Sequence, residues 1–193
     1  MIAGFARKIN DILIQKGIVQ KEDADLYRYG IENGITVAGN LLASVIFGIV
    51  AGRPGLVLVF LLFYSTLRSY SGGIHCKSRT RCFVMSIAIL LIPVYTWEPV
   101  IENVPKPVIL MAGVFAVAVI IVLAPVESIN KPLDEEERVY YARVTHCITA
   151  LQVCVLIILF CMGQWDYFYA GYISIVLVAL FMVLGRIAVK RCV

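Results

Sequence analysis

The chain has few charged residues for its length. Of its 193 residues only 16% are charged, whereas 61% are hydrophobic and the mean hydropathy is +0.88. A soluble domain of this size cannot hide so much apolar side chain, because a small protein has a large surface that polar groups must cover. The composition therefore excludes an ordinary soluble domain and indicates a polytopic membrane protein.

Other absences narrow the function classes. The opening residues, MIAGFARKINDILIQKG, lack the apolar core and small-residue cleavage site of a secretory signal, so we expect the whole chain to be mature protein. Of its six cysteines, Cys147, Cys154 and Cys161 lie in or beside an apolar run and Cys192 is at the C-terminus, which argues against a secreted disulfide framework. The net charge of +4 is modest and lies in loops, as in an oriented membrane protein rather than a nucleic-acid-binding one.

Six apolar runs follow the N-terminal region. We expect an all-α polytopic membrane protein, a single integral membrane domain over residues 1–193, with about six transmembrane helices forming a bundle over 34–188. Crossing a bilayer core of ~30 Å takes about 20 residues, so the second and third runs are short and one of them tilts or enters partway. Pro93 is expected to kink the third run. The runs are 34–51, 54–70, 82–97, 107–125, 144–163 and 167–188.

Residues 1–30 are amphipathic rather than membrane-spanning. Ile2, Phe5, Ile9, Ile12 and Leu13 recur at helical spacing, and cationic or polar residues occupy much of the remainder. This pattern predicts one or two helices lying at the membrane interface. The alternative is a poorly ordered soluble arm.

Lysine and arginine are unevenly distributed between the alternate connections. Cytoplasmic loops carry the excess of these cations, so the distribution predicts a multi-pass protein of the cell membrane with both termini in the cytoplasm. The opposite side holds Arg53, Lys106 and two interfacial tryptophans, Trp97 and Trp165. The predicted cytoplasmic cations are Arg7, Lys8, Lys16, Lys21, Arg28, Arg68, Lys77, Arg79, Arg81, Lys131, Arg138, Arg143, Arg186, Lys190 and Arg191.

The segment RSYSGGIHCKSRTRC, residues 68–82, combines this charge with reactive side chains. Cys82 begins an apolar run, so a helix N-terminus and the neighbouring cations are expected to lower its thiol pKa. His75 is a candidate base for a Cys–His pair. Residues seven apart on a straight helix are about 10 Å apart, so the pair requires a bend, which Gly72-Gly73 permits.

Two alternative roles for this segment stay open. A basic cytoplasmic loop needs no function beyond fixing topology. A zinc site is a second possibility, although tight CxxC pairs are lacking. Its candidate ligands are His75, Cys76, Cys82, His146 and Cys147.

Three further cysteines recur every seven residues, at Cys147, Cys154 and Cys161. This spacing favours a helix-packing face, within the chain or between subunits, over a metal or redox site. Asn40 and Gln152 lie inside apolar runs, so both are expected to face the bundle interior and to be hydrogen-bonded there.

Two motifs resemble the accessory gene regulator B (AgrB) family. The first is R-x3-GG-x-H-x6-C, formed by Arg68, Gly72-Gly73, His75 and Cys82. The second is APVESINKPL, residues 124–133, which resembles the Pro-rich loop between the fourth and fifth spans of that family. The two motifs occur in the family's order, and the resemblance covers nearly the whole chain.

The resemblance implies a membrane-embedded cysteine endopeptidase of Gram-positive quorum sensing. Cys82 would be the nucleophile and His75 its general base, with Arg68, Gly72 and Gly73 binding substrate or supporting the site. The partner would be an AgrD-like precursor peptide at the lipid bilayer. Its acidic C-terminal tail is removed, and an acyl-thioester then closes into a cyclic autoinducing peptide. The resemblance implies no metal or other cofactor, and it is compatible with a homodimer.

Several roles remain open at this point. Glu32 or Glu127 is a candidate to orient the histidine, and each is equally compatible with a solvated carboxylate at the interface. The cations attract an acidic tail or serve topology alone. The cations that could play either part are Lys77, Arg79, Arg81, Lys131 and Arg138. The alternative function for the whole protein is a small transporter or exporter whose basic loop only gates or orients.

Overall fold

The computed structural model describes residues 2–73, 79–127 and 133–190, and helices dominate these ranges. Helix α1 is Ile2–Gln15, and a short 3-10 turn, Lys21–Asp23, leads into α2, Ala24–Val50. The remaining helices are α3 (Pro54–Ser71), α4 (Arg79–Asn103), α5 (Lys106–Leu123), α6 (Glu135–Cys161) and α7 (Trp165–Lys190). Each of the six apolar runs thus forms one helix, which confirms the all-α architecture.

Helix α1 is the predicted amphipathic segment, and it docks on α2. Ala6 and Asn10 are buried, and the side-chain amide of Asn10 donates to the Ala24 carbonyl oxygen at 2.9 Å. On the other face Phe5 and Ile12 stay exposed. The apolar surface left outside is the kind that interfacial helices bury among lipid headgroups.

Two helices begin well before their apolar runs. Helix α2 starts at Ala24, so residues 24–30, expected in the interfacial arm, are continuous with the first span. Helix α6 starts at Glu135, where the Asp134 carboxylate accepts a 2.7 Å hydrogen bond from the Glu137 amide. That cap and three acidic residues in the first turn suit the positive end of the helix dipole. Hydropathy alone misses such polar first turns.

Helices α3 and α7 form the centre of the bundle. Helix α3 packs against α2, α4, α6 and α7, and α7 also contacts α5. The shared core includes Phe63, Leu67, Ile175, Val178 and Met182, all buried. Polar groups reinforce the contacts, because the Gln152 side chain donates to the Phe63 carbonyl at 2.9 Å and to the Thr66 hydroxyl at 3.0 Å. The predicted interior position of Gln152 is therefore confirmed.

Five helices are long and apolar enough to cross a membrane: α2, the Val84–Asn103 part of α4, α5, α6, and the Trp165–Ile187 part of α7. Helix α3 falls outside this set because its second half is polar, as its sequence PGLVLVFLLFYSTLRSYS shows. Its 18 residues nevertheless span about 27 Å. In the polar half Leu67 and Ser71 are buried against neighbouring helices, whereas Ser65, Thr66 and Ser69 stay exposed.

The bundle has two ends of different construction. At the tryptophan end, defined by Arg53, Trp97, Lys106 and Trp165, each cation lies over an indole ring, at 4.2 Å for Arg53 on Trp97 and 4.5 Å for Lys106 on Trp165. The opposite glycine end, defined by Gly72, Gly73 and Val126, joins α3 to the segment after α5. The tryptophans and their cations therefore share one end, as the sequence predicted.

Candidate active site

Helix α3 ends at two glycines whose backbone conformations other residues rarely adopt. Gly72 has φ 73° and ψ −158°, and Gly73 has φ 120°. A Cβ atom at Gly72 would overlap the Val126 carbonyl oxygen. Glycine is thus required here both by conformation and by close approach. Helix α3 ends at this point, and the bend that a Cys–His pair requires stays a prediction, because residues 74–78 lie outside the described ranges.

The two motifs of the sequence are joined through their backbones. The Val126 amide donates to the Ser71 carbonyl oxygen at 2.9 Å, and the Gly73 amide donates to the Val126 carbonyl oxygen at 3.3 Å. These bonds pair Gly72 with Val126 as an isolated parallel bridge. The start of the segment 124–133 is therefore joined to the glycine pair of the Arg68–Cys82 motif.

Arg68 lies against the second glycine. A Cβ atom at Gly73 would be 2.8 Å from Nη1 of Arg68 and 3.0 Å from the Phe181 carbonyl oxygen of α7. Arg68 is half-buried one helical turn before Gly72. The guanidinium therefore occupies space that only a glycine leaves open, and three elements of the motif are in contact.

A cleft of about 490 Å³ opens beside these residues, between α2, α3, α4 and α7. Arg68 and Gly72 line one part of it, and Asn40, Ser44 and Phe60 line another. Its wall mixes polar and apolar groups, which is unusual inside a bundle of apolar helices. The full lining comprises Asn33, Val37, Asn40, Leu41, Ser44, Phe60, Leu61, Tyr64, Ser65, Arg68, Ser69, Gly72, Met85, Ser86, Ile89, Leu90 and Phe181.

The two predicted catalytic residues are placed only in part. His75 lies outside the described residues, and so do Cys76 and Lys77. The backbone of Cys82 belongs to the first turn of α4, which begins at Arg79, but its side chain lies outside the described part. Met85 and Ser86, three and four residues further along α4, line the cleft. Whether His75 reaches Cys82 stays a prediction.

The two candidate carboxylates have different surroundings. Glu32 is buried on α2, directly before the cleft residue Asn33. Glu127 is half-buried directly after Val126 and lines a second pocket, of about 320 Å³, with Arg138 and Arg186. The two arginines come from the start of α6 and the end of α7. Arg186 was assigned only a topological role from sequence, because nothing in a linear pattern shows that α7 ends beside α6.

The other polar and sulfur-containing residues singled out in the sequence do not form a common site in the described ranges. The His146 ring nitrogen Nε2 lies 3.1 Å from the Ile121 carbonyl oxygen and links α6 to α5. No group of three or more possible metal-binding side chains occurs among the described residues. Cys147, Cys154 and Cys161 are all exposed, so their shared face is not packed within the chain. Asn40 lines the cleft, but within the described ranges its Oδ1 is buried without a hydrogen-bond partner.

Comparison with known proteins places this architecture. The profile of the family described as accessory gene regulator B matches residues 6–184. Two AgrB-like proteins of Clostridium perfringens, from strain SM101 and strain 13, are each 25% identical over 143 residues, which is 72% of this chain and 67% of theirs. No solved structure matches the chain. A multi-pass helical bundle, both motifs, and a family match over almost its whole length lead to one conclusion: the protein belongs to the accessory gene regulator B family.

Proposed function

We propose that the protein is a membrane-embedded cysteine endopeptidase that removes the C-terminal tail of an AgrD-type precursor and cyclises the remaining peptide. Family membership supports work on such a precursor at a membrane. The observation that carries the chemistry is the joining of Ser71–Gly73 to Val126 beside a cleft bordered by the first turns of α4. That arrangement joins the two family motifs at the end of α3, and Met85 and Ser86, three and four residues after Cys82, line the adjoining cleft.

In the first step Cys82 is the nucleophile and His75 the base. The imidazole takes the thiol proton, and the sulfur attacks the carbonyl carbon of the scissile peptide bond. Collapse of the tetrahedral adduct breaks the C–N bond, and the imidazolium gives its proton to the departing amine of the tail. The peptide is then held as an acyl-thioester on Cys82.

In the second step the precursor supplies its own nucleophile. An internal thiol or hydroxyl attacks the thioester carbonyl carbon, the bond to Cys82 breaks, and the Cys82 thiolate regains a proton. When the attacking group is a thiol, one thioester replaces another at little net free-energy cost, so no ATP is needed. Water must be excluded meanwhile, because hydrolysis would release a linear peptide.

The glycine end faces the cytoplasm in this proposal. The excess of lysine and arginine lies on that side, as expected for cytoplasmic loops. Arg138 and Arg186 line the pocket beyond Val126, with Glu127 as its acidic member. Their net positive charge attracts an acidic leaving tail and holds it apart from the acyl segment.

The test is cleavage of the precursor by purified protein in lipid nanodiscs. Cys82→Ser is expected to abolish tail release and His75→Gln to reduce it at least a hundred-fold, as typical for loss of general-base catalysis. Cys76→Ser is the matched control and should cleave normally. Wild-type protein should also carry a covalent adduct, with the mass of the precursor lacking its tail, that hydroxylamine removes. Normal tail release by Cys82→Ser would overturn the mechanism.

A further inference from the structure

The cleft between α2, α3, α4 and α7 has features that a membrane bundle does not need for its own stability. Lining residues of α2 recur at positions 33, 37, 40, 41 and 44, which share one helix face. Three of them, Asn33, Asn40 and Ser44, are polar. Polar groups on a membrane helix are costly unless they find partners, and they commonly mark a binding surface.

Asn40 is the most informative of these groups. Its Oδ1 is buried and has no hydrogen-bond partner within the described ranges. A buried acceptor left unpaired is unfavourable by about 1–3 kcal/mol. A lipid acyl chain lying in the cleft would offer no donor and would leave that atom unpaired. A peptide backbone offers an N–H group at nearly every residue.

The dimensions also suit an extended peptide. On α3 the lining runs from Phe60 to Gly72, a rise of about 18 Å for 12 residues. An extended chain advances about 3.3 Å per residue, so the cleft has room for roughly five residues. Apolar side chains of such a segment would meet Val37, Leu41, Phe60 and Ile89 on the walls.

One edge of the cleft lies beside the start of α4, the helix whose first turn contains Cys82. Position 82 precedes Met85 and Ser86 by three and four residues, and this spacing places the three positions on one helix face. Arg68 and Gly72 line the same edge. A peptide running down the cleft therefore has one end within one helical turn of residue 82 and the other beside Asn40 and Ser44.

We propose that this cleft binds the roughly five residues on the amino side of the scissile bond, an apolar extended peptide. Its backbone N–H groups donate to polar side chains of α2, among them the Asn40 amide once it turns about χ2 toward the cleft. The proposal rests on the proposed function, since it assigns a binding site to the part of the precursor that becomes the acyl-thioester. It makes α2 a specificity-determining helix. Shielded from water in this cleft, the acyl segment meets its internal nucleophile before it meets solvent.

The test places a bulky side chain in the cleft and compares it with the same substitution at a neighbouring position outside the cleft. Leu41 lines the cleft, whereas its neighbour Leu42 is 63% exposed and lies outside the lining. In nanodiscs Leu41→Trp should raise KM for the AgrD-type precursor at least ten-fold, and Leu42→Trp should leave it unchanged. Asn40→Leu, which keeps the side-chain volume, should raise KM about ten-fold by removing the acceptor.

The outcomes separate the two proposals. Absence of Cys82-dependent tail release by the wild-type protein would sink the proposed function itself. If the wild type cleaves and both Leu41→Trp and Asn40→Leu keep its KM, the cleft belongs to lipid and this inference is wrong. The Asn40→Leu arm guards against misfolding, because it adds no bulk, and its thermal midpoint should match that of Leu42→Trp.

Discussion

The glycine end and the tryptophan end of the bundle are held by different kinds of contact. At the tryptophan end, side chains meet across partly exposed surface: Arg53 covers Trp97, and its guanidinium is 3.8 Å from the Glu98 carboxylate. At the glycine end, backbones meet directly at Gly72 and Val126. Side-chain contacts tolerate replacement because neighbours and solvent adjust, whereas a backbone contact at glycine leaves no room for adjustment.

The difference suggests where this fold concentrates its function. The cleft, both family motifs and the arginine pair Arg138 and Arg186 all lie toward the glycine end. The tryptophan end holds a pocket of about 170 Å³, lined by Lys106, Trp165 and apolar neighbours, with the lysine already over the indole. Substitutions should therefore affect activity sharply at one end and weakly at the other.

The largest effect concerns topology, because the comparison requires that the two ends lie on opposite sides of the membrane. In a background with all cysteines replaced, Glu102→Cys, at the tryptophan end, should react fully with an impermeant maleimide on intact cells. Lys8→Cys and Glu136→Cys should react only after permeabilisation. If α3 failed to cross, Glu102 and Lys8 would share one side and Glu136 would be labelled from outside. That pattern would refute the six-helix topology.

The next largest effect is expected at the glycines. Gly72→Ala should destabilise the protein by about 1–3 kcal/mol from backbone strain alone, and overlap with Val126 should displace that segment and reduce tail release at least ten-fold. Gly52 at the other end also has positive φ, of 70°, but nothing lies within 4 Å of a Cβ there. Gly52→Ala should therefore cost about 1–2 kcal/mol of stability with normal cleavage. Thermal unfolding in detergent and cleavage rates check both, and equal activities would contradict the comparison.

Sequence predicted the helices well and the contacts between them poorly. The apolar runs located all six helices of the bundle, since hydropathy reports burial in lipid directly. The glycine pair predicted a turn because few residues adopt those angles. The pairing of Gly72 with Val126 was not predictable, because it joins backbone groups of segments that are far apart in sequence and carries no side-chain signature. The same holds for Arg186, whose proximity to Arg138 depends on where two helices end.

The early start of α2 shows a second limit of sequence reasoning. Residues 24–33 are too polar for hydropathy to identify them as part of a membrane span. In the structure they are helical, and the Asn10 side chain of α1 donates a hydrogen bond to the Ala24 carbonyl oxygen at the start of α2. A tertiary contact of this kind stabilises a helix start that the local pattern does not signal. The role of His75 rests on its motif alone, because residues 74–78 lie outside the described ranges.

A smaller, more specific effect is expected from Arg68. Arg68→Lys keeps the charge but loses the planar guanidinium that lies against Gly73, so cleavage should fall about ten-fold, which corresponds to ~1.4 kcal/mol of the activation free energy. The matched change is Arg53→Lys, which keeps a cation beside Trp97 and should cleave like the wild type. Comparable rates for Arg68→Lys and the wild type would show that only the charge matters at the glycine end.

The smallest effect is expected from removing both cations of the tryptophan end. A cation–π contact at an exposed site contributes about 0.5–1 kcal/mol, and Arg53 and Glu98 are 32% and 58% exposed, so solvent screens their ion pair. Arg53→Gln with Lys106→Gln should therefore lower stability by about 1–2 kcal/mol in total and leave KM for the precursor unchanged. The measurements are a thermal midpoint in detergent and cleavage in nanodiscs. Helix α3 is the direct connection from Arg53 to Gly72, so a raised KM in this double variant would mean that α3 moves as a rigid unit and couples the two ends.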